Sequence, residues 1–61
     1  MILPHGWILT AQTFHHFEGE MFQVRVENRE KQKLMTFIGE AKESEKTYKA
    51  AVEWANKLEL I

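Results

Sequence analysis

An α+β domain in which a three-stranded antiparallel meander is followed by one C-terminal amphipathic helix, in the order β-β-β-α, is the architecture this sequence predicts. Three observations carry it. Between Met21 and Glu27, Phe22, Val24 and Val26 are apolar while Gln23, Arg25 and Glu27 are polar, which is the period of a strand with one buried face. Polar, turn-forming intervals stand on either side, at Glu18-Gly19 and at Asn28-Arg29-Glu30-Lys31-Gln32. Toward the C-terminus Tyr48, Ala51, Val52, Ala55 and Leu58 recur at three- and four-residue spacing, the stripe of a helix packed on one side.

The first strand is expected over residues 7–16, where Trp7 to Phe14 is rich in β-branched and aromatic residues and no breaker occurs before Glu18-Gly19. Gly19 supplies the positive φ that a tight hairpin needs, so this strand should pair antiparallel with the second, over residues 21–27. Asn28 tolerates the left-handed conformation, which suits the longer loop leading to a third strand over 33–38. Gly39 ends that strand. Ser44 is the expected N-cap of a helix over 45–59, with Glu43 and Glu45 at the positive end of its dipole. Glu45 with Lys49, and Glu53 with Lys57, add i,i+4 pairs worth ~0.2–0.5 kcal/mol each.

With 61 residues there is room for one core, so residues 1–61 are read as a single domain. A chain this short buries only ~60% of its unfolded surface, and a core of this size rarely leaves more than ~3–5 kcal/mol of net stability. Disulfides are impossible without cysteine, which leaves oligomerisation as the expected supplement. Cysteine-free composition also fits a reducing, cytoplasmic setting. The N-terminal stretch has neither the basic start nor the apolar run of a signal or a span, so no membrane partner is expected.

No catalytic, cofactor-binding or metal site is expected. The chain has no Cys and no Asp, and Ser44 is its only serine, so neither a Ser-His-Asp nor a Cys-His arrangement can be built. Paired glutamates such as Glu18 and Glu20 need a walled, desolvated cleft for acid–base work, which so short a chain seldom encloses. His15 and His16, if the strand continues through them, point to opposite faces and cannot share one ion. The three glycines are isolated, so there is no phosphate-cradling loop.

The sheet itself suggests a function. A helix of ~15 residues is ~22 Å long and ~10 Å wide, enough to cover one face of a sheet ~14 Å across and not two. If Phe22, Val24 and Val26 meet the helix, the opposite face receives Trp7, Leu9 and Ala11 or else Ile8 and Phe14 from the first strand. From the third it receives Met35 and Phe37 or else Leu34 and Ile38. Trp7, Leu9, Met35 and Phe37, with Trp54 at the border of the helical stripe, are taken as the candidate protein interface, and the expected partner is a second copy or another protein. The alternative is that Ile2-Leu3-Pro4 folds back over this face.

Nucleic acid is the second class of partner. A net charge of −1 does not favour phosphate binding, yet every Lys and Arg lies between Arg25 and Lys57. The segment Gly39-Glu40-Ala41-Lys42-Glu43-Ser44-Glu45-Lys46-Thr47-Tyr48-Lys49-Ala50-Ala51, following three strands, resembles the last third of a double-stranded RNA-binding domain. That resemblance implies phosphate contacts from Lys46 and Lys49, with Lys42 nearby. The chain departs from the family's pattern in having Glu45 where the family has a lysine, an extra residue after the glycine, and no counterpart of the family's N-terminal helix. Arg25, Arg29, Lys31 and Lys33 are the candidates for a strand-reading DNA contact.

Overall fold

The computed structural model describes residues 2–60. It contains β1 (Ile8–His16), β2 (Gly19–Asn28), β3 (Lys33–Glu40), one 3-10 turn (Ala41–Glu43) and α1 (Ser44–Glu59). The strands form one antiparallel sheet in the order β1-β2-β3, followed by the single helix, which is the β-β-β-α arrangement the patterning predicts. No helix among the described residues is long and apolar enough to cross a membrane.

Register decides which side chains meet α1. Leu9 pairs with Val26 and Ala11 with Val24 on one side of β2, and Met35 with Val26 and Phe37 with Val24 on the other. Directly opposed residues share a face, so all of them stand on the side that α1 covers. Val24, Val26, Ala51 and Ala55 are fully buried there, Trp7 nearly so, and Leu3, Leu9, Phe22, Phe37, Trp54 and Leu58 pack around them. The ring of Trp54 is the hub, meeting Trp7 edge-on at 5.6 Å and Phe37 at 6.3 Å between centroids. Gly39 lets the helix approach β3, because a Cβ built there would lie 2.5 Å from Thr47 Oγ1.

Four local expectations are corrected. Gly39 does not end β3, which pairs through it with Phe22 and runs on to Glu40. Ser44 does not cap α1: the 3-10 turn precedes it, the N-cap is Glu43, and no side chain bonds the free amides. Asn28 is the last residue of β2 and is buried, its Oδ1 accepting the backbone N–H of Lys31 at 3.0 Å, and the left-handed residue of the loop is Gln32, at φ 56°. Residues Ile2 to Pro4 do not cover the outer face of the sheet. Asn56 on α1 donates its side-chain N–H to the carbonyl of Ile2 at 3.1 Å, and Leu3 joins the core, so this segment lies on the helix side. The expectation for the first hairpin agrees with the structure: Phe17-Glu18 forms the reversal and Gly19 follows at φ 134°.

The molecule is not close-packed into a sphere. α1 lies over β2 and β3 and scarcely touches β1, so Ala11 and Thr13 are exposed even though they are on the helix side. The Cα radius of gyration is 12.1 Å, against about 10.5 Å for a compact chain of this length. The accessible surface is 4740 Å², against about 4100 Å² for a monomer of this mass.

Candidate protein interface

The face of the sheet away from α1 is built by the alternate residues of each strand. The register sets them in cross-strand rows: Ile8, Glu27 and Leu34; Thr10, Arg25 and Thr36; Gln12, Gln23 and Ile38; Phe14, Met21 and Glu40. The middle of this layer is polar and its apolar groups lie toward the two edges. Ile8, Leu34 and Ile38 are 46%, 53% and 58% exposed, and among the described residues nothing of this chain is packed over them.

The residues chosen from sequence as the interface fall elsewhere. Trp7, Leu9, Phe37 and Trp54 belong to the core on the helix side, because the register aligns Leu9 and Phe37 with the buried valines of β2. Met35 shares that side but remains 40% exposed at the β3 edge. The groups brought to the open face are those of the other phase, Ile8 and Phe14 from β1 and Leu34 and Ile38 from β3. A strand such as Ile8-Leu9-Thr10-Ala11 carries apolar groups on both faces, so its pattern alone does not choose between them.

Both outer strands of the sheet are edges. From Leu34 to Gly39 the β3 edge has no charged residue and no proline, the two devices that commonly block pairing with another strand. Beside this edge a groove runs between β3 and the first half of α1, lined by Phe37, Gly39, Lys46, Thr47 and Ala50.

The seven basic candidates do not form one surface. Arg25 projects from the centre of the outer face between Thr10 and Thr36. Arg29 lies 3.8 Å from Glu27, Lys31 2.9 Å from Glu59, Lys42 3.2 Å from Glu40, Lys46 3.8 Å from Glu43 and Lys49 3.6 Å from Glu45. Of the seven, only Arg25 and Lys33 are outside an ion pair among the described residues. The loop before β1 contains no helix among the described residues, so the RNA-binding resemblance stops at the strands and the last helix. At the first hairpin, His15 lies 3.8 Å from Glu20 while the next residue, His16, stacks its ring on Phe17.

A second polar contact, not anticipated from sequence, ties the two ends of the fold together. Glu59 Oε1 accepts from Trp7 Nε1–H at 2.6 Å and from Lys31 Nζ at 2.9 Å. The Lys31 hydrogen bond, then that of Trp7, holds the Glu59 carboxyl below its ordinary value.

Comparison of the chain with protein-family models, with curated proteins and with solved structures finds no match.

Proposed function

We propose that this chain is a small, non-catalytic interaction module that works as a homodimer, joined through its uncovered sheet layer. The observation that carries the reading is the outer layer itself: Ile8, Leu34 and Ile38 are each about half exposed, and the N-terminal segment, the alternative cover, is tied to α1 instead. Surface area points the same way. The excess of about 600 Å² over a compact monomer approaches the ~800 Å² that each partner buries in an ordinary protein interface. The six buried apolar residues among the described residues make a small core, and association adds stability by mass action without a disulfide or metal. A regulatory or accessory role in the cytoplasm suits a cysteine-free chain whose open concavities, such as the one lined by His16, Glu18, Glu20, Met21 and Glu40, lack the walls that acid–base catalysis needs.

Light scattering after gel filtration tests this. The expected mass is twice 7.2 kDa at ~100 µM, the concentration at which even a weak interface of this size associates. Ile38→Lys should return the chain to a monomer with its fold intact, and a strict monomer for the unaltered chain would remove the reading. The nucleic-acid alternative draws less support, because a glutamate stands within 4 Å of each of Arg29, Lys31, Lys42, Lys46 and Lys49 and offsets the positive field that phosphate would meet. A salt series with duplex RNA and DNA decides it: a complex whose affinity falls steeply with salt would favour that alternative.

A further inference from the structure

We infer that the second copy joins at the β3 edge, antiparallel and with Thr36 on the two-fold axis, so that two three-stranded sheets become one six-stranded sheet. The inference rests on the homodimer reading and narrows the contact from the outer layer as a whole to the β3 edge, which carries Leu34 and Ile38 but not Ile8.

The centre of the outer face holds Gln12, Gln23 and Arg25. Stacking two such faces would bury an unpaired guanidinium in the middle and leave the apolar groups at the rim, the reverse of how stable interfaces are built. The apolar groups of β3 are instead at the strand that has no neighbour. Leu34 and Ile38 project on the outer side, and Met35 and Phe37 on the helix side.

A two-fold axis perpendicular to the sheet keeps outer side with outer side and opposes residues whose numbers are symmetric about the axis. Placed at Thr36, it sets Leu34 against Ile38 of the second copy, Met35 against Phe37, and Thr36 against itself, so that apolar meets apolar at the two positions on either side, and Lys33 meets only Gly39 beyond them. Cross-strand pairs of this kind are the stabilising unit of a sheet, and a threonine pair is a favourable centre. Neighbouring registers lose the match. An axis at Phe37 opposes Leu34 to Glu40 and Thr36 to Ile38, and an axis at Met35 opposes Lys33 to Phe37. The β1 edge, also free of charge and proline from Ile8 to Phe14, matches less well than β3: centred on Ala11 it opposes Ile8 to Phe14, but also Thr10 to Gln12 and Leu9 to Thr13. Pairing at β3 also seats Met35 of the second copy beside Phe37, at the mouth of the groove lined by Gly39, Thr47 and Ala50.

Cysteine cross-linking reads the register directly, because the chain has no thiol of its own. Opposed residues in an antiparallel pair stand about 4.5–5.5 Å apart at Cα, within reach of a disulfide. Thr36→Cys is expected to oxidise largely to a covalent dimer, whereas Thr10→Cys, which flanks Arg25 at the β1 edge, should remain a thiol. Thr36→Glu stands beside Arg25 of its own chain but opposes a second glutamate across the axis, so it should keep its fold by circular dichroism and weaken the dimer about tenfold. Mixing it with Thr36→Lys should restore a heterodimer. If the unaltered chain is monomeric at ~100 µM, the homodimer reading and this one fall together. If it is dimeric but Thr36→Cys stays unlinked, or Thr10→Cys links as readily, the β3 edge is overturned and the dimer stands. Should either variant fail to fold, amide exchange in the unaltered chain decides: β3 amides slow with rising concentration if this edge pairs, and a rate independent of concentration overturns it.

Discussion

Trp7 and Glu59, 52 residues apart in the chain, are joined by a hydrogen bond of 2.6 Å from the indole N–H to the carboxylate. The contact lets a nearly buried tryptophan satisfy its only polar atom, which would otherwise be a cost of burying the ring. It also brings Lys31 of the second loop onto the same oxygen, so the start of β1, the β2–β3 loop and the last turn of α1 share one junction.

Acid should loosen that junction. The folded-state pKa of Glu59 is lowered, so its contribution to stability is present in full above the ordinary carboxylate range and is lost as pH falls through the lowered value. Glu59→Gln keeps an acceptor for the indole but removes the charge. Thermal melts from pH 3 to pH 7 should therefore show the unaltered chain ahead of the variant near neutrality, with the gap closing in acid. A gap that is constant across this range would contradict the assignment.

Gly39→Ala should destabilise by about 1–3 kcal/mol, the usual cost of forcing an extra carbon into a packed contact. The cause is the 2.5 Å approach to Thr47 Oγ1, whereas Thr47 Cβ would be 3.8 Å away. In a Thr47→Ala background the same change should therefore cost less than about 0.5 kcal/mol. A double-mutant cycle in urea measures this, and equal costs in the two backgrounds would remove the contact as the cause.

Gln32→Gly should raise stability by up to about 1 kcal/mol. The left-handed φ of 56° burdens a residue with a side chain, and glycine relieves that strain while giving back part of the gain through its freer unfolded chain. A higher urea midpoint at an unchanged slope is the expected result.

Phe37→Lys and Ile38→Lys, one residue apart, should behave as opposites. Phe37 packs on Trp54 in the core, and loss of a core aromatic costs about 3–5 kcal/mol, as much as a domain of this size has. Ile38 is exposed on the outer face, where a substitution changes the monomer by about 0.5 kcal/mol or less. Circular dichroism should show an unfolded and a folded protein respectively.

How far the sequence could be read follows from how many ways each residue could be used. β2 was readable because Val24 and Val26 alternate with charge and amide groups, and only one phase buries the valines. α1 was readable because its stripe has one period. β1 and β3 were readable as strands but not in phase, since Trp7 and Ile8, or Phe37 and Ile38, are equally apolar neighbours and only pairing with β2 distinguishes them. That ambiguity is why Trp7, Leu9 and Phe37 of the candidate interface lie in the core, while the open layer is built by the other phase, Ile8, Leu34 and Ile38. Tolerance of the left-handed conformation points Asn28 to the loop, but in the fold its side-chain Oδ1 accepts the Lys31 N–H at the end of β2 and Gln32 takes the left-handed φ.

The off-centre placement of α1 makes the sheet unequal in how firmly it is held. β2 has a strand on each side and a helix above. The far half of β1, from Ala11 to His16, has only its ladder to β2. Opening should begin there and travel toward Trp7, with solvent deuterium entering the β1 amides well before those of β2, so that the molecule unzips from one corner rather than melting all at once.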